Sequence, residues 1–85
     1  MRSLNAPIPV QVRAGRNGHP GMIRRRVWPR PRRVAQVADQ WRLDDEWWRE
    51  RPVSRHYFLT VMEDGLRLTI YHDLIDDTWF EQRDD

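Results

Sequence analysis

Two dipeptides, Asn17-Gly18 and Asp64-Gly65, each interrupt a stretch in which apolar and polar side chains alternate. Alternation is the period of a half-buried strand, and Asn-Gly or Asp-Gly between two such runs is the strongest short-range hairpin signal. Two hairpins within 85 residues leave room for little besides one small antiparallel sheet. In the first, a two-residue turn at Asn17-Gly18 joins Pro9–Ala14 to Met22–Val27 and sets Val12 opposite Ile23, Val10 opposite Arg25 and Ile8 opposite Val27. The opposite face then carries Gln11, Arg13, Met22, Arg24 and Arg26, so it is basic. Pro20 is tolerable at the edge of such a pair.

In the second hairpin, His56–Met62 and Leu66–His72 flank Glu63-Asp64-Gly65. A two-residue turn at Asp64-Gly65 puts Val61 opposite Leu68, Leu59 opposite Ile70 and Tyr57 opposite His72, with Thr60 facing Thr69 and Phe58 facing Tyr71. Between the hairpins, the alternate prolines of Trp28–Arg33 exclude a helix or a central strand, and Arg24–Arg33 reads as an arginine- and proline-rich connector. A third strand is expected at Arg33–Trp41. At Leu43–Glu50 the period changes: Asp44 suits an N-cap, acids fill the first turn, and Leu43 can staple onto Trp48, so a short helix is expected before Pro52. Thr78–Gln82 reads as a last strand. The expected fold is mainly β, a strongly bent small sheet or half-open SH3-like barrel of six short strands with a short helical insertion. A single domain over 1–85 is expected, with a flexible tail at 1–7 and a tail at 83–85.

The chain has no cysteine, which removes disulfides, thiolate nucleophiles and cysteine-zinc sites together. A domain of this size buries only roughly 60–65% of its unfolded surface, so packing of its five Trp, two Tyr and two Phe carries the fold. No stretch approaches the ~20 apolar residues of a membrane span, and Met1–Ala6 lacks the apolar core of a signal peptide; a cytoplasmic location and no membrane contact are expected.

The formal net charge of +2 conceals a partition. Residues 1–38 hold nine arginines and no acid, +9, whereas residues 39–85 hold six arginines and thirteen acids, −7. Arg24, Arg25, Arg26, Arg30, Arg32 and Arg33 crowd around Trp28, with Arg13 and Arg16 across the turn. Guanidinium forks bind phosphate oxygens bidentately and an indole stacks on unpaired bases, so these nine residues are the candidate nucleic-acid contacts. The same run also suits a solvated face, an intramolecular partner for the acidic half, or an acidic protein surface.

Other constellations carry less. Asp44-Asp45-Glu46 and Asp73, Asp76 and Asp77 lack the spacing of a calcium loop and suit caps and turns, so neither metal nor cofactor is expected. His19, His56 and His72 are paired with no nucleophile, and Ser3 and Ser54 lie in no nucleophile motif, so no enzyme is expected. Trp41, Trp47 and Trp48 suit a cap on the open end of the core. Five indoles are more than such a domain buries, however, which makes Trp47 or Trp48 the candidate protein-interface anchor.

Trp41-Arg42-Leu43-Asp44-Asp45-Glu46-Trp47-Trp48, the Tyr57-Phe58 strand, Glu63-Asp64-Gly65, Asp73-Leu74 and Trp79-Phe80 together resemble a small domain. That domain lies at the C-terminus of ImuB-type, non-catalytic Y-family polymerase-like proteins and also forms short stand-alone bacterial proteins. The resemblance covers most of residues 31–82. It implies an accessory role in DNA damage tolerance and translesion synthesis, with a polymerase-like protein as a partner. This chain departs from the pattern in having no polymerase-like body, no recognisable clamp-binding motif and a richer arginine-proline segment. The leading expectation is a non-enzymatic module contacting nucleic-acid phosphate, DNA before RNA. The alternative is a protein-interaction adapter or homo-oligomer in which the +9 and −7 halves meet between copies.

Overall fold

The computed structural model describes residues 6–83, and of the expected tails residues 1–5 and 84–85 lie outside them. The described chain forms β1 (Ile8–Pro9), β2 (Gln11–Ala14), β3 (Pro20–Arg24), β4 (Arg32–Asp45), β5 (Val53–Met62), β6 (Arg67–Asp73) and β7 (Thr78–Gln82). These make one antiparallel sheet in the order β1-β7-β6-β5-β4-β3-β2. Only Val10 separates β1 from β2, yet β1 pairs with β7 and β2 with β3. One short segment therefore touches both edges and nearly closes the sheet into a barrel, with Val10 N–H donating to the Trp79 carbonyl at 3.1 Å. The mainly β, bent-barrel expectation holds.

Both hairpin turns are three-residue loops rather than the expected two-residue turns. Gly18 N–H donates to the Gly15 carbonyl at 3.0 Å and Gly15 N–H to the His19 carbonyl at 2.9 Å, with Gly18 at φ 79°. Glu63-Asp64-Gly65 repeats the pattern: Gly65 N–H donates to Met62 and Met62 N–H to Leu66, with Gly65 at φ 90°. A type I turn followed by a left-handed glycine gives this geometry.

The consequences differ. In the first hairpin a register shift between Arg13 and Ala14 undoes the extra residue, and Val12 faces Ile23 as expected. The expected Ile8–Val27 pair does not form: Ile8 faces Glu81, and Val27 lies exposed in the turn that ends β3. In the second hairpin nothing compensates, and the register slips by one. Thr60 faces Leu68, Phe58 faces Ile70, Tyr57 faces Tyr71 and His56 faces His72. The slip places Phe58, Thr60, Met62, Leu68 and Ile70 together inside, where they pack with Val10, Ile23 and Trp28 as the core. Thr60 satisfies its buried hydroxyl by donating Oγ1–H to the Leu68 carbonyl at 2.9 Å.

The expected helix at Leu43–Glu50 is absent; the third strand instead runs on to Asp45 and pairs with β5 throughout. Asp44 caps nothing. Its Oδ1 accepts from Ser54 Oγ at 2.8 Å and from Arg42 Nη2 at 3.0 Å, cross-strand and same-strand bonds that replace the N-cap. Leu43 faces Arg55 rather than stapling onto Trp48. Glu46–Arg49 forms a turn, Arg49 N–H donating to the Glu46 carbonyl at 2.9 Å, with Glu46 at φ 51°. Register shifts around Ala35 and Ala38 bend β4 as barrel closure requires.

Candidate nucleic-acid interface

In the β2–β3 hairpin Gln11 faces Arg24 and Arg13 faces Met22, and Arg13, Arg24 and Gln11 are all exposed. The Arg25–Trp28 turn, closed by Trp28 N–H to the Arg25 carbonyl at 3.0 Å, carries Arg26 at its corner, and Arg30 follows on the exposed strand-to-strand loop. Three shallow depressions adjoin along this side. The first includes Pro9, Arg24, Arg25 and Arg26; the second shares Gln11 and Arg24 with it; the third shares Met22 and Pro31 with the second and reaches Arg32 and Arg33. Basic side chains thus line three adjoining depressions, the third of which also carries Glu63 and Asp64.

The nine candidate residues separate into two groups. Arg13, Arg16, Arg24, Arg26, Arg30 and Arg33 are exposed and have no carboxylate ion-pair partner among the described residues. Arg24 spends one donor on the Trp28 carbonyl at 3.4 Å. Arg25, Arg32 and Trp28 serve the fold. Arg25 grips Glu81 through Nε–H to Oε1 at 2.8 Å and Nη2–H to Oε2 at 2.6 Å. Arg32 pairs with Asp64 at 3.1 Å. Trp28 is 6% exposed and packs in the core, with the Arg25 and Arg32 guanidinium carbons 5.0 and 4.2 Å from its ring centroid. It is therefore a core side chain rather than a stacking platform for bases, because a ring this enclosed offers no open face.

The other tryptophans lie elsewhere. Trp47 and Trp48 form the tip of the β4–β5 arm, 79% and 65% exposed, packed edge to face with centroids 5.8 Å apart. Trp41 does not cap the core; it is partly exposed and stacks flat on Tyr57 at 5.3 Å. From there an aromatic row crosses the sheet through Tyr57, Tyr71 and Phe80, with the Arg55 guanidinium 4.5 Å from the Tyr71 centroid.

Sequence reasoning missed one cluster. His19, His56 and His72, read as paired with no nucleophile, converge around Phe58 and Trp79. Gln40 bridges His56 Nε2 at 2.9 Å and His19 Nε2 at 3.2 Å, and His72 Nε2 lies 2.7 Å from Asp77 Oδ1. The His56 ring stacks on Phe58 and the His72 ring on Trp79, each with centroids 4.3 Å apart. Burial first, then the charges of Arg42, His19 and His72, hold the His56 pKa below its ordinary value. Reading Glu63-Asp64-Gly65 as a three-residue loop is the signal that would have set His56 opposite His72. Among the described residues no group of three His, Asp or Glu side chains is arranged to hold a metal ion. No described helix is long and apolar enough to cross a membrane.

No family model matches the chain, and neither a curated protein nor a solved structure matches it.

Proposed function

We propose that the protein is a non-enzymatic accessory module that contacts nucleic-acid phosphate through the β2–β3 hairpin and the Arg24–Arg33 segment, whose ends belong to β3 and β4 and whose middle is the loop between them. The observation that carries this reading is the set of six exposed arginines without a carboxylate partner among the described residues, four of which, Arg13, Arg24, Arg26 and Arg33, line adjoining shallow depressions. Guanidinium forks held apart from acids remain available to phosphate. With Trp28 in the core, that surface has no ring for base stacking, so contact is with the backbone and independent of base sequence. DNA damage tolerance, in the cytoplasm and beside a polymerase-like partner, is the setting implied by the resemblance to ImuB-type C-terminal domains.

The test is fluorescence anisotropy against duplex DNA, single-stranded DNA and RNA over a salt series. Each phosphate contact contributes about −0.9 to the log–log slope on duplex DNA, so engagement of all six arginines gives a slope of about −5. The triple variant Arg24→Gln, Arg26→Gln, Arg30→Gln flattens the slope by about 3 while leaving the fold intact. Absence of binding at low salt to all three probes overturns the proposal.

A second reading, a protein-interaction adapter, is favoured by the two exposed indoles at the arm tip.

A further inference from the structure

Two exposed features at opposite ends of β4 are chemically complementary. At the arm tip, residues 44–50 hold Trp47 and Trp48 among four acids and one arginine, and Asp45 and Glu50 have no cationic partner among the described residues. The central depression of the basic side has the inverse composition. Val12, Met22 and Pro31 give it apolar walls, Arg13 and Arg24 border it, and its volume is ≈ 500 Å³. That lies within the ~300–1,000 Å³ typical of ligand-sized clefts, ample room for an indole ring. Arg13 and Arg24 are also the residue type that stacks best on an indole face.

The two features cannot meet within one molecule. The depression adjoins Arg32 through Pro31, and the tip follows Asp45, so the whole of β4 lies between them. A strand of its 14 residues spans roughly 40 Å, comparable with the 41 Å longest extent of the molecule.

We infer that the Trp47-Trp48 tip of one copy docks into the Arg13–Arg24 depression of a second copy, a head-to-tail contact. Tip and depression are different surfaces, so the contact is heterologous and propagates to a ring or an open chain rather than stopping at a symmetric dimer. The buried patch is small and charge-steered, so association is weak, rises with protein concentration and falls with salt. The inference does not depend on nucleic-acid binding. Both use Arg13 and Arg24, so a bound nucleic acid displaces the tip.

Sedimentation velocity of the purified full chain tests it, in low and high salt and without nucleic acid. The expected result is a mass that climbs with concentration at low salt and returns to the monomer at high salt. The variant Trp47→Ala, Trp48→Ala and the variant Arg13→Glu, Arg24→Glu are each expected to be monomeric. An equimolar mixture of the two retains one intact tip and one intact depression, and is expected to give a dimer and nothing larger. That complementation also shows that both variants are folded. A wild type that stays monomeric at low salt overturns the inference, as does a tip variant that still assembles, which would point to edge-to-edge pairing of β4. Failure of both variants to complement when each has a wild-type circular dichroism spectrum overturns it too. None of these outcomes bears on the anisotropy result, so the two proposals fail separately.

Discussion

Arg25 and Glu81 are joined by two parallel hydrogen bonds of 2.8 and 2.6 Å, a fork-to-fork pair linking the residue after β3 to β7. Glu81 sits opposite Ile8 in the strand pair that closes the barrel, and its side chain is only 7% exposed. An arginine that composition groups with the phosphate contacts is thus a strap across the closure. Breaking a largely buried pair by removing one partner leaves a desolvated charge, which costs far more than the pair itself contributes. Arg25→Met, which strands the buried Glu81 carboxylate, is expected to destabilise the fold by about 2–4 kcal/mol in urea denaturation, with Glu81→Gln costing less because the Arg25 it leaves behind reaches solvent. A cost below about 0.5 kcal/mol, the range of surface substitutions, would show that the strap is dispensable.

Trp28 gives the second prediction. Trp28→Ala removes a core indole and is expected to cost about 3–5 kcal/mol, while Trp28→Phe costs appreciably less. Any loss of nucleic-acid affinity in either variant is expected to track the unfolded fraction seen by circular dichroism. A folded Trp28→Phe variant with strongly weakened binding to single strands alone would restore a base-stacking role to this ring.

The parts of the fold that the residues announce are those decided locally. The last strand forms at Thr78–Gln82 as expected, and Val12 faces Ile23 because a bulge cancels the extra turn residue. The second hairpin shows the limit. Both the two-residue and three-residue loops fit Glu63-Asp64-Gly65, and the choice is made by burying Phe58, Thr60 and Met62 with Leu68 and Ile70, which is a property of the closed barrel. Asp44 is ambiguous in the same way: its carboxylate suits an N-cap until Ser54 and Arg42 offer it partners across and along the strands. For the candidate site, the exposed arginines are legible from charge, but the diversion of Arg25 and Trp28 to structural work is not, because Glu81 lies 56 residues from Arg25 in sequence.

Gly65 gives a third prediction. Its φ of 90° lies where a Cβ is strained, although no atom lies within 4 Å of the position a Cβ would take. Gly65→Ala is therefore expected to cost about 1–2 kcal/mol through backbone strain alone, without disturbing the neighbours. Thermal unfolding read against Gly21→Ala separates the two effects, because Gly21 is not at positive φ and a Cβ there meets only ordinary contact at 3.5 Å. Equal melting shifts for the two variants would contradict a conformational origin.

The fourth prediction concerns acid. His56 stacks on Phe58 and bonds Gln40, and its burial, together with Arg42, His19 and His72, places its folded pKa below the ordinary 6.5. Near and below that value the unfolded chain takes up this proton more readily than the folded one, so stability rises with pH across the interval between the two pKa values. The contribution of neutral His56 is fully present above about 6.5 and is lost as pH falls through the lowered folded value. Melting temperature is therefore expected to decline from pH 7 into the range below 6.5, and His56→Gln, which cannot take up a proton, is expected to flatten that decline. Asp44 acts in a separate window. Ser54 and then Arg42 hold its carboxyl below 3.8, so its contribution survives until more acidic pH. A His56→Gln profile parallel to that of the wild type would assign the acid sensitivity to other groups.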